Sequence, residues 1–143
     1  MIKQLKMKRL VLFLLTISAL ISCSPNDDSP SYHLEVLPVE SFTVPESFDM
    51  NQNYQIKVKY KRPSDCHFYQ GIYYEKNGQE RTFGVQTSVL EADYCNPLDE
   101  APIEVTFDFL CTPGNQYYTF RFYKGEDANG NNLFEEVTIP VTY

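Results

Sequence analysis

Between Asn53 and Pro63 the chain reads NYQIKVKYKRP, with Ile56, Val58 and Tyr60 on one parity and Lys57, Lys59 and Lys61 on the other. Successive side chains of an extended strand point to opposite faces, so this spacing predicts a strand with one buried face. IEVTFDFL repeats the pattern, with Ile103, Val105, Phe107 and Phe109 inward against Glu104, Thr106 and Asp108. YYTFRFY sets Tyr118, Phe120 and Phe122 against Tyr117, Thr119, Arg121 and Tyr123. LFEEVTIPVTY places Leu133, Val137, Ile139 and Val141 on one side, and Pro140 marks an edge or a bulge because it cannot donate to a ladder. Asn77-Gly78 is a hairpin dipeptide and predicts strands on either side, over roughly His67 to Glu75 and Arg81 to Leu90. A first strand over Leu34 to Val44 is interrupted at Pro38. After Cys23 no window carries helical periodicity, and there is no internal repeat.

About seven short strands with a turn signal every 8 to 12 residues or so predict one all-β domain, an antiparallel sandwich of two sheets. A small up-and-down β-barrel is the alternative. The order of strands over Tyr32 to Tyr143 resembles the fibronectin type III or immunoglobulin-like fold, although the chain has no tryptophan for the buried position of antibody domains. That resemblance implies that the third strand, 67–75, and the sixth, 117–123, lie side by side.

Chain direction makes the cysteines informative. If each strand reverses the last, Cys66 and Cys95 fall in loops at one pole, and Cys111 ends a strand at the other. A strand of five or six residues spans about 17–20 Å, well beyond the roughly 7 Å limit between bridged Cα atoms. A Cys66–Cys95 disulfide is therefore expected, with Cys111 left unpaired. Closing such a loop contributes roughly 3.6 kcal/mol on the chain-entropy estimate.

The opening of the chain has a different pattern. Lys3, Lys6, Lys8 and Arg9 precede an apolar run from Leu10 to Ile21, which is too short to span a bilayer and fits a secretory signal peptide starting at Met1 or Met7. The run ends in Leu20-Ile21-Ser22-Cys23, which resembles the lipobox of bacterial lipoproteins. The resemblance implies cleavage after residue 22 and diacylglycerol and a fatty acid such as palmitate on Cys23. Two or more acyl chains hold a protein stably at a membrane. Residues 24–31, SPNDDSPS, have no bulky apolar side chain and read as a flexible tether of at most about 29 Å when extended. The acidic pair Asp27-Asp28 is similar to the export signal of surface lipoproteins in one group of Gram-negative bacteria. The expected organisation is thus signal peptide 1–22, lipidated cysteine and tether 23–31, and sandwich 32–143. The expected location is the outer membrane, with the cell surface favoured over the periplasmic face.

Charge then narrows the partners. Four of the 12 basic residues and none of the 19 acidic ones precede Cys23, which leaves eight against nineteen, a net of −11. So acidic a domain does not seek nucleic-acid phosphates. Cys66 and His67 are adjacent, but neighbours in an extended chain face opposite ways, and neither zinc spacing nor a nucleophile elbow occurs. The sequence favours a non-enzymatic binding or scaffolding role, with a glycan or an envelope protein as partner.

Two constellations could bind. Asp65, Asp93, Asp99 and Asp127, joined by Glu100, Glu126, Asn129 and Asn131, fall in loops assigned to one pole and supply the hard oxygens calcium takes. The DANGNN segment has its glycine at the fourth place, not the sixth, so it is no EF-hand loop, and the weight falls on solvated turns. The second is aromatic. Tyr117, Arg121 and Tyr123 face outward on the sixth strand, and Tyr69 and Tyr73 join them from the third unless Gly71 marks a bulge. Such rings can stack on sugar faces or anchor a protein partner. The resulting alternatives are a carbohydrate-binding accessory lipoprotein or a small subunit of an outer-membrane assembly.

Overall fold

The computed structural model describes residues 29–143; the stretch expected to be a signal peptide, Cys23 and the acidic pair Asp27-Asp28 lie outside the described residues. Nine strands run in chain order: β1 Tyr32–Leu37, β2 Ser41–Thr43, β3 Phe48–Asp49, β4 Asn53–Tyr60, β5 His67–Asn77, β6 Glu80–Leu90, β7 Ile103–Leu110, β8 Tyr117–Glu126 and β9 Asn132–Thr142. They form two open sheets, a three-stranded β2-β4-β7 and a six-stranded sheet built on β6. The sandwich is as expected. The extra strands arise because Pro38 splits the first strand in two and β3 adds a two-residue parallel pairing to β9. Among the described residues no helix is long and apolar enough to cross a membrane.

Alternation sets the inner faces. Ile56, Val58 and Tyr60 are buried while Lys57 and Lys59 are exposed, and Tyr118, Phe120 and Phe122 are buried between the more open Tyr117, Thr119 and Arg121. The core between the sheets is a lattice of rings: Phe83 lies 4.9 Å from Phe120 and 5.1 Å from Phe122, and Phe109 stands edge-on to Phe120 at 5.1 Å. Full burial of each such side chain stabilises by about 1.5–3 kcal/mol. The buried Tyr118 hydroxyl donates to Thr112 O at 3.2 Å and accepts from Asn115 Nδ2 at 3.0 Å, so the ring is held without an orphan polar atom. Leu133 keeps the inward parity of β9 yet is exposed, being at the far end of the strand from the core.

Strand order departs from the fibronectin-like expectation. β5 does not neighbour β8. β6 lies between them, antiparallel to β5 along Glu80–Val89 and parallel to β8 along Glu80–Phe83. β5 occupies one edge of β6 throughout, so β8 and β1 must share the other. β8 takes residues 80–83 and β1, antiparallel, takes 85–90. The chain then leaves β1 at Pro38 and crosses to the other sheet, where Glu40 N–H donates to Lys59 O at 2.7 Å. The β5–β6 turn is one residue later than the dipeptide suggested: Asn77 pairs with Glu80, and Gly78, at φ 58°, and Gln79 make the bend.

Cys66 and Cys95 are bridged with Cα atoms 5.6 Å apart, and the buried Cys111 is free, as the pole argument predicts. Around the bridge, Ser64 pairs with Pro97 and Asp65 N–H donates to Asn96 O at 3.1 Å. One staple thus joins two loops already held by main-chain bonds.

Candidate functional site

Because β8 and β1 share one edge of β6 and then part, a notch opens on the outer face of the larger sheet. Buried beneath it lies Gly84, between the stretch of β6 that β8 covers and the stretch that β1 covers. A Cβ on Gly84 would overlap Val36 Cγ1 and stand 3.7 Å from Tyr123 Cβ and 3.8 Å from Tyr73 Cβ, so glycine lets these three side chains converge. The narrow end is closed by Val39 N–H donating to Tyr123 O at 2.7 Å. The resulting cleft measures about 700 Å³, within the range of small-ligand sites.

Its walls differ in chemistry. Leu34, Val36 and Pro38 make an apolar wall on the β1 side, and Tyr123 and Phe134 an aromatic one on the β8–β9 side, their rings 6.0 Å apart. Tyr73, Glu75 and Thr82 come from β5 and β6, with Glu35, Glu126 and Asn132 at the margins. Arg121 is fastened in place: Nε donates to Glu136 at 2.8 Å, and the guanidinium lies 4.3 Å over the Phe134 ring. The Tyr73 hydroxyl donates to Glu75 at 2.9 Å, which raises its pKa above the ordinary phenol value. Burial, then the carboxylates of Glu126 and Glu35, raise that of Tyr123.

Of the five expected platform residues, the fold gathers Tyr73, Arg121 and Tyr123 into this cleft and leaves out two. The pairing register slips between Tyr69 and Gly71, so the bulge puts Tyr69 on the inner side, where it stacks 6.1 Å from Tyr60. Tyr117 faces outward opposite Pro140, four residues along β8 from Arg121 and not part of the cleft. The cleft exists because β1 and β8 diverge, not because β5 and β8 adjoin. Phe134 and the β1 wall had no local signal, since both depend on the shared edge of β6.

The acidic loops are otherwise employed. Asp65 accepts from Asn96 N–H at 2.8 Å and from Asn96 Nδ2 at 3.0 Å, and Asp127 caps its turn by accepting from Asn129 and Asn131. These bonds, the side-chain ones foremost, hold both carboxyls below their usual pKa. Among the described residues the one group of three potential metal donors is Asp65 with Cys66 and Cys95. Both sulfurs there are spent in the disulfide, and neither Asp93, Asp99 nor Asp127 joins the group.

A constellation that sequence spacing did not suggest lies beside the staple. His67 is buried, with Nδ1 2.8 Å from Ser64 Oγ and Nε2 3.0 Å from Glu35 Oε2. The order of groups is that of a nucleophile, base and orienting acid. Ser64 Oγ, however, also accepts Cys66 N–H at 3.3 Å, so it closes the bend before β5. The array clamps β1 to β5 across β6. Its only local trace was the Ser-x-x-His spacing; Glu35 is 32 residues away.

A scan against protein-family models and searches of the curated proteins and of the solved structures found no match, so the site is read from its own geometry.

Proposed function

We propose that the chain is a non-enzymatic binding module, moored through a lipid on Cys23 at the outer membrane, that presents the Tyr73–Tyr123–Phe134 cleft to its partner. The lipobox-like run ending at Cys23 supports the mooring, and the cleft carries the reading of binding. Rings exposed at the mouth of a preformed concavity lose little rotamer freedom on binding and bring large apolar area, which is how aromatic anchors work at interfaces. Capture of a carbohydrate is the second reading, favoured by the two tyrosines, Tyr73 and Tyr123, that line the cleft. Envelope glycans and a detergent extract of membranes are to be passed over the immobilised chain. Retention that disappears in the Tyr73→Ala plus Tyr123→Ala variant is the expected result, and retention unchanged by it overturns the assignment. Mass spectrometry of the protein from cells tests the mooring: an acylated Cys23 amino terminus is expected, and an unmodified thiol refutes it.

A further inference from the structure

We propose that the cleft accepts an extended, basic stretch of polypeptide, laid along the free edge of β1 with Lys or Arg side chains directed at Glu75 and Glu126. The inference rests on the reading of the cleft as a binding site and names its ligand class. Three consecutive residues, Leu34, Glu35 and Val36, all line the cleft. Leu37, next along, is buried, so alternation puts Leu34 and Val36 on the outer face that walls the cleft, with Glu35 between them. β1 is terminal in its sheet, paired to β6 alone, and its other edge carries unpaired main-chain donors and acceptors. A peptide added there gains main-chain hydrogen bonds, the usual basis of strand addition. A sugar or a small amine cannot continue the ladder along such an edge.

Charge selects the sequence of the guest. Glu75 and Glu126 line the cleft beside the cation Arg121, which is already engaged by Glu136 at 2.8 Å and Glu80 at 3.9 Å, while the Glu35 carboxylate is taken up by His67 Nε2 at 3.0 Å. Glu75 accepts only the Tyr73 hydroxyl, and Glu126 enters no ion pair among the described residues. An ammonium or guanidinium among Tyr73, Tyr123 and these carboxylates meets both ring faces and opposite charge. The net of −11 beyond Cys23 adds long-range attraction for a basic segment.

The test uses labelled Lys-Val-Lys-Val-Lys and Glu-Val-Glu-Val-Glu peptides, a Lys-Val peptide N-methylated at alternate residues, spermidine, and neutral oligosaccharides, read by anisotropy and competition. The expected result is binding of the Lys-Val peptide, weakened by salt, with little binding of the Glu-Val or N-methylated forms. Glu75→Gln plus Glu126→Gln lowers Lys-Val affinity about 4- to 25-fold, at two- to fivefold per exposed pair, with an unchanged melting temperature. Equal binding of the Glu-Val peptide, equal binding of the N-methylated form, or no effect of the double variant overturns the proposal. Spermidine that competes as well as the peptide also overturns it, because the edge is then unused. Oligosaccharide bound through Tyr123 without peptide binding removes the peptide and leaves the binding module standing; if no ligand is retained in either this test or the glycan and extract test, both fall.

Discussion

Strand β8 carries aromatic rings on both faces, and their fates differ. Inward, Tyr118, Phe120 and Phe122 are buried and touch rings on the opposing sheet and on β6. Outward, Tyr123 has one ring neighbour, Phe134 at 6.0 Å, and otherwise faces the cleft. The same alternation that builds the core therefore leaves a second set of rings with unsatisfied contact area. A ring enclosed on all sides stabilises the fold; one enclosed on one side is available to a guest. The largest expected effect separates the two directly. Phe120→Ala should lower unfolding free energy by about 3–5 kcal/mol, and Tyr123→Ala by about 1 kcal/mol or less, both measured by urea denaturation followed by circular dichroism. Equal losses would make the outer face a part of the core and dissolve the contrast.

A smaller effect probes the floor on which the outer set stands. Gly84 keeps an inward-facing neighbour on each side, Phe83 and Val85, both fully buried, while its own open face lets Val36 settle against β6. Gly84→Ala forces Val36, a stiff β-branched side chain, to move, and β1 with it. Overpacking of this kind costs about 1–3 kcal/mol. The expected outcome is a lower melting temperature together with faster amide exchange in β1 than in β4, because β4 is on the other sheet. Exchange rising equally in both strands would mean that β1 is not separately seated and that the cleft wall is as rigid as the core.

Much of the inner face was legible along the chain and little of the outer one. The period of two in β4, β7 and β8 identifies buried residues because burial on one face is a local property of a strand. The Cys66–Cys95 pairing followed from chain reversal alone. By contrast, the parallel contact of β6 with β8 joins segments almost 40 residues apart, Glu80 to Thr119, with no turn to announce it. The order of strands, and with it the cleft, hangs on that contact. The bulge before Gly71 acts the same way at shorter range: one extra residue separates Tyr69 from Tyr73, which simple alternation places on one face.

The smallest expected effect concerns groups that belong to neither face. Asp65 is exposed and Asp127 partly so, and each carboxylate accepts hydrogen bonds from nearby asparagine, so their pKa values lie below the ordinary 3.8 in the folded chain. Glu91 is likewise lowered, first by the Ser31 hydroxyl and then by His33. A depressed carboxyl favours folding in its ionised form. Its contribution is complete above the unfolded value and is lost as pH falls through the lower, folded one. The window is therefore the acid side below 3.8 for the two aspartates, and neutral pH is unaffected. Solvent screening at exposed positions keeps the effect small. Melting curves from about pH 5 down to about pH 2 should fall slightly more steeply for the wild-type chain than for Asp65→Ala plus Asp127→Ala, which starts lower and has less to lose. Parallel curves would mean that these caps shape their loops without stabilising the fold, which would leave the inner rings and the disulfide as the supports of the stapled pole.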